Sequence, residues 1–226
     1  MKEKEYIYKF KMLPANILSI VIFLVVGELT YFLIDGITFK FDSFGILLLA
    51  MVLYFAFHEV LHGLGYLLGG CKAKNIYFGV ALEKGILYCL ARQEVKKGNI
   101  LLSLQMPFTV IGVITYIIGI LIKDYMLIFL SIANISGASM DLVMFFYILR
   151  CKSVRYSETE ANDEFVLISK EDLSKRKSLF FRLKETKDYN KEDFKFKKMK
   201  RIEISKQSAL ILLLLLGLSI IAILLK

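Results

Sequence analysis

The chain has 226 residues, 57% of them hydrophobic, and a formal charge of +9 with only two histidines and three cysteines. A mean hydropathy of +0.59 excludes an ordinary soluble domain, because the apolar residues gather in blocks of the ~20-residue length that crosses a bilayer. Cys71, Cys89 and Cys151 are odd in number and widely spaced, a pattern that gives neither a disulfide framework nor a zinc ribbon.

Residues 1–12 form a short polar segment containing Lys2, Lys4, Lys9 and Lys11, and residues 16–34 form the first apolar block. That block is long for a signal-peptide core and no small-residue cleavage site follows it, so it is read as a retained span. The second block, residues 44–69, contains both histidines of the chain. Residues 71–99 are polar, with two runs rich in aromatic and β-branched residues (75–82 and 85–92) separated by Glu83-Lys84, which predicts a β-hairpin. Residues 100–122 make the third block, Lys123-Asp124 a minimal turn, and residues 125–149 the fourth block, which holds Asn134 and Asp141. A strongly basic polar segment (150–207) then leads to a nearly pure Leu/Ile block at 208–225, read as an anchor.

The predicted fold class is therefore mainly α: a polytopic transmembrane helical bundle of about five spans with a small β-hairpin. Three regions follow: a membrane-embedded core of four spans (1–149), a basic segment (150–207) and a carboxyl-terminal transmembrane anchor (208–226). Alternate connections would carry twenty-seven Lys and Arg on one side (four, six and seventeen) and only Lys40, Lys123 and Lys226 on the other. By the positive-inside rule this predicts a cell-membrane protein with a cytoplasmic amino terminus and an external carboxyl terminus.

The second block carries His58-Glu59-Val60-Leu61-His62. On a helix, residues four apart share one face, so two imidazoles there are placed to hold one metal ion, with Glu59 in reach of a metal-bound water. This is the H-E-x-x-H arrangement of zinc metalloproteases. Ionisable groups in a span are costly and usually functional. His62 lies eight residues from Gly70, about 12 Å from the end of its block, and Asp141 lies nine residues from Arg150, about 13 Å from the end of its own. Two blocks thus deliver His58, His62 and Asp141 to one depth, the three protein ligands that a catalytic Zn2+ takes before water. The competing reading has two buried histidines four apart by chance and Asp141 paired elsewhere. Glu59 is expected to be the general base; the alternative is a carboxylate that only orients a histidine.

Glu28, in the first span, is read as a polar lining residue rather than a ligand. Gly63, Gly65 and Gly69 allow close helix packing. An exposed edge of the hairpin is suited to pairing with an extended substrate segment, and a reinforcing loop is the alternative. The basic segment, interleaved with Leu179, Phe180, Phe181, Phe194 and Phe196, is read as an anionic-lipid contact or a solvated tether. Nothing resembles a nucleic-acid fold.

A span bearing H-E-x-x-H and a later span bearing an aspartate resemble site-2-protease-type intramembrane zinc metalloproteases. More narrowly, His58-Glu59-Val60-Leu61-His62-Gly63, the hairpin ending near Cys89, Gln105-Met106-Pro107-Phe108 and Asn134-x6-Asp141 resemble a family of small bacterial membrane proteins of zincin-peptidase type. The resemblance covers about residues 15–149. It implies hydrolysis of a peptide bond in or near the membrane, in a membrane-protein or peptide substrate, with Asn134 contacting the substrate backbone; a helix–helix hydrogen bond is the alternative for Asn134. The chain departs from the site-2 pattern at Leu142, where an Asp-Gly pair would place glycine. A non-catalytic metal-binding membrane protein, a sensor or assembly factor on the same scaffold, is the competing function.

Overall fold

The computed structural model describes residues 2–34, 44–81, 86–158, 164–190, 202–204, 206–208, 211 and 214. Helix α1 (Met12–Leu33) follows strand β1 (Lys4–Phe10), and α2 (Phe44–Leu68) carries the two histidines. Strands β2 (Ile76–Ala81) and β3 (Ile86–Ala91) form the predicted antiparallel hairpin, and the short β4 (Val95–Lys96) leads into α3 (Lys97–Pro107). After a π-helical stretch at Phe108–Ile114 the same rod continues as α4 (Thr115–Ile122). Helices α5 (Tyr125–Gly137) and α6 (Ser139–Leu149) complete the bundle, followed by β5 (Arg155–Glu158), β6 (Glu164–Ser169), β7 (Phe181–Asp188) and β8 (Ile202–Ile204).

Three features correct the sequence expectation. Among the described residues, three helices are long and apolar enough to cross a membrane, or four if the bent pair α5–α6 counts as one span, so five spans are not supported. The block expected as a fifth span lies almost wholly outside the described residues. The expected fourth span is broken by 46° between α5 and α6. The break falls at Ala138, whose ψ of 5° leaves the helical range, within the run Gly137-Ala138-Ser139 of small residues.

The third correction concerns the polar ends. With β4 they form a five-stranded sheet, β4-β5-β6-β1-β7, where a short polar segment and an anionic-lipid contact or tether were expected. In β1 the pattern has a period of two, with Tyr6 and Tyr8 buried against Phe165 and Phe181. Every residue of β6 is buried, as suits the central region of a sheet covered on both faces. The sheet seats on the bundle through Tyr147, Ile148 and Tyr66, and the Tyr147 hydroxyl donates to Tyr8 Oη at 2.9 Å. Because β1 precedes α1, β4 precedes α3 and β5 follows α6, these three helix ends share one face of the bundle.

The second sheet has the order β3-β2-β8. Strand β8 runs parallel to β2, pairing Ile202 with Phe78 and Ile204 with Val80, so the outer edge of β2 is occupied by the chain itself.

Candidate metal centre

Helix α2 presents His58 and His62 on one face, buried to 8% exposure each. Their Nε2 atoms lie 3.1 Å apart. Asp141, in the first turn of α6, brings Oδ2 to 3.3 Å from His58 Nε2 and 3.4 Å from His62 Nε2. The three atoms form a nearly equilateral triangle. Tetrahedral bonds of about 2.0–2.1 Å to zinc place ligand atoms about 3.3–3.4 Å apart, so the donor set has the dimensions of a zinc site and the correct chemistry, two imidazole nitrogens and a carboxylate oxygen.

The surroundings fix which nitrogens face inward. His58 Nδ1 lies 2.7 Å from Asn134 Oδ1, and His62 Nδ1 lies 2.9 Å from the Ser103 carbonyl. Both partners accept, so each Nδ1 carries the proton and donates, leaving each Nε2 with a free lone pair. Two lone pairs and a carboxylate oxygen within 3.4 Å repel one another unless a proton or a metal cation lies between them. Such outer partners, which hold a ligating imidazole in one tautomer, are the usual companions of a metal site.

Asn134 is fully buried, and both ends of its carboxamide are engaged: Oδ1 accepts from His58, and Nδ2 donates to the Pro107 carbonyl at 3.1 Å. The carboxamide thus bridges a histidine on α2 and the Pro107 carbonyl. Pro107 opens the π-helical stretch, a local widening that recurs at functional sites. Inside it the Ile111 carbonyl accepts from Tyr54 Oη at 2.6 Å and Thr115 Oγ1 at 2.7 Å.

Close packing brings α3 to the motif. A β-carbon on Gly65 would sit 2.5 Å from Ser103 Cα, and the Ser103 hydroxyl in turn donates to the His62 carbonyl at 3.0 Å. At Gly63 a β-carbon would meet the Phe78 ring at 2.8 Å and Cys89 Sγ at 3.4 Å, so the hairpin lies directly against the motif.

Glu59 offers a carboxylate oxygen within 4.8 Å of the histidine ligand atoms. With His58 and His62 it makes a group that could hold a metal ion. Its carboxylate accepts from the Cys89 backbone N–H. The hairpin register explains why that N–H is available. Arg92 N–H donates to the Asn75 carbonyl, and bonded and non-bonded pairs alternate in an antiparallel ladder, so Leu87 and Cys89 direct their backbone groups away from β2. The outer edge of β3 therefore faces Glu59. Cys89 contributes through its backbone; its thiol is pushed up to well above the ordinary range by burial first and by the Glu59 and Glu158 charges next.

Three contributors carried no sequence signal. Ser103 acts through a carbonyl, Cys89 through an amide, and half-buried Glu158 arrives on β5 from a remote segment. Burial pushes the Glu158 carboxyl up to about 7, while the Tyr156 hydroxyl, which donates to it at 2.5 Å, and the charges of Arg92 and His62 pull it down. Glu28 is exposed on α1.

No curated protein and no solved structure matches the chain. Residues 49–156, which span His58, Glu59, His62, Asn134 and Asp141, match the model of the family described as "Putative zincin peptidase".

Proposed function

We propose that this protein is an intramembrane zinc metalloprotease of the site-2-protease type, with His58, His62 and Asp141 holding one zinc ion. The single observation that carries the reading is the buried triangle of Nε2, Nε2 and Oδ2 atoms at 3.1–3.4 Å, contributed by two separate apolar helices. When bound there, zinc supplies a Lewis acid that lowers the pKa of a coordinated water and polarises a carbonyl.

The remaining chemistry belongs to the chain. Glu59, steadied by the Cys89 N–H, takes a proton from the attacking water as its oxygen bonds to the scissile carbonyl carbon. Glu59 then returns that proton to the amide nitrogen as the C–N bond breaks. Asn134 and Ser103 hold the two imidazoles in the tautomer that leaves Nε2 free. An extended segment of a membrane protein or peptide pairs along the outer edge of β3, where strand addition brings its backbone past Glu59. A helical peptide offers no such edge, so substrate unwinds before cleavage.

The charge distribution orients the bundle. The face that carries both sheets is the one richest in Lys and Arg, and we assign it to the cytoplasm, with the amino terminus there. Cleavage then occurs in the cytoplasmic half of the bilayer, roughly two helical turns from the end of α2.

The test compares membrane-peptide fragments in cells carrying the native protein and Glu59→Gln, with zinc measured on both purified proteins. The proposal expects equal zinc and loss of specific fragments in the variant. Equal zinc with an unchanged fragment pattern would instead identify a metal-binding protein that does not hydrolyse.

A further inference from the structure

The turn before β7 lies where the sheet meets the bundle. The Lys11 backbone N–H donates to the Phe180 carbonyl at 2.8 Å, and Lys11 Nζ to the Ser178 carbonyl at 3.4 Å. On the other side Arg176 donates to the Arg150 carbonyl at 3.2 Å, where α6 ends. Residues 174–180 are therefore pinned between the first residue before α1 and the first after α6, at the level where two apolar helices leave the membrane.

At this level Leu179 is 69% exposed, and so is Leu13, at 72%, on the first turn of α1. Among the described residues no neighbour buries Leu179. Lys175, Lys177 and Arg182 flank it in the chain with exposed side chains, and Lys11 and Arg150 are the residues bonded to this segment. Of the acids in this segment, Glu171 pairs with Arg176 at 2.5 Å, and Asp172 accepts from Ser174 and lies near Lys175. An exposed apolar tip flanked by exposed basic side chains complements a boundary between acyl chains and anionic headgroups.

We infer that residues 174–182 form an interfacial foot, in which Leu179 enters the acyl-chain boundary and Lys175, Lys177 and Arg182 engage anionic lipid headgroups. The foot clamps the five-stranded sheet to the bilayer, which holds β5 and Glu158 in place beside the metal centre. It stands whether or not the protein cleaves peptides.

The chain contains no tryptophan, so Leu179→Trp introduces a single reporter. The full-length variant is reconstituted into phosphatidylcholine vesicles with or without phosphatidylglycerol, and with phospholipid brominated near the headgroup. Lys187→Trp, at the end of β7 paired with Glu5 far from the membrane face, is the water-exposed reference. The inference expects Leu179→Trp emission to be blue-shifted, quenched by brominated lipid and shielded from iodide relative to the reference. It also expects phosphatidylglycerol to strengthen the bromine quenching, and K175Q with K177Q to abolish that increase. Water-like emission, quenched by iodide and untouched by bromine, would overturn the foot. Bromine quenching indifferent to phosphatidylglycerol and to the lysine changes would overturn the headgroup contact.

Discussion

Gly65→Ala tests the coupling between helix packing and the metal centre. The added β-carbon would lie 2.5 Å from Ser103 Cα and 3.0 Å from Ser103 N, against a comfortable carbon–carbon separation of about 3.5–4.0 Å. Both atoms are backbone, so no side chain can swing aside, and α3 must retreat by about 1 Å. The His62 Nδ1–Ser103 carbonyl bond of 2.9 Å would open to about 3.9 Å, beyond hydrogen-bond range. Overpacking of this kind costs about 1–3 kcal/mol of stability, and loss of an outer-shell partner lowers metal affinity about 10–100-fold. The assay is chelator competition for zinc by purified protein, with helical content followed by circular dichroism. Gly27→Ala is the control, since nothing lies within 4 Å of a β-carbon there. Native zinc affinity in a folded Gly65→Ala protein would refute the claim that α3 positions His62.

Asn134→Ala removes the acceptor on His58 Nδ1 and strands the Pro107 carbonyl, and zinc affinity is expected to fall about 10–100-fold; unchanged affinity in the same competition assay would mean that His58 needs no partner. Asn134→Asp keeps an acceptor for His58 and should retain more affinity than Asn134→Ala. Glu158 gives a pH prediction. Its folded-state value of about 7 exceeds the ordinary 4.5, so between these values the folded protein binds more protons than the unfolded chain, and stability falls as pH rises. The effect is at most about 3 kcal/mol, and Glu158→Gln should flatten the thermal-stability profile in that window; a profile as steep as the native one would assign the dependence to another group. Tyr54→Phe removes a donor to the Ile111 carbonyl in the π-helical stretch and should cost about 1 kcal/mol, read as a lower melting temperature with zinc stoichiometry intact.

The candidate site was legible in the sequence to the extent that chemistry there requires rare residues in apolar surroundings. His58, Glu59 and His62 stand out in a span, and Asp141 stands out by depth. What orients them was hidden, because Ser103 and Cys89 act through backbone atoms that every residue has. Asn134 was visible as a polar group, but its partner depends on how α5 faces α2. The hairpin was legible from its aromatic and β-branched runs. The larger sheet was obscured by its charge: β1 sets Tyr6, Tyr8 and Phe10 among Lys4, Glu5 and Lys9, so composition read it as polar although its period was that of a strand. Its partners lie about 160 residues away, in a segment whose lysines suggested a tether. The bend at Ala138 was also hidden, since Gly137-Ala138-Ser139 is equally at home in a straight, closely packed helix.

Zinc stoichiometry across four purified proteins tests the central claim most directly. The account predicts one zinc ion in the native chain, with loss in His58→Ala, His62→Ala and Asp141→Ala, the last supplying the only ligand from outside α2. A native protein without zinc, or an Asp141→Ala protein that holds zinc with native affinity, would contradict it.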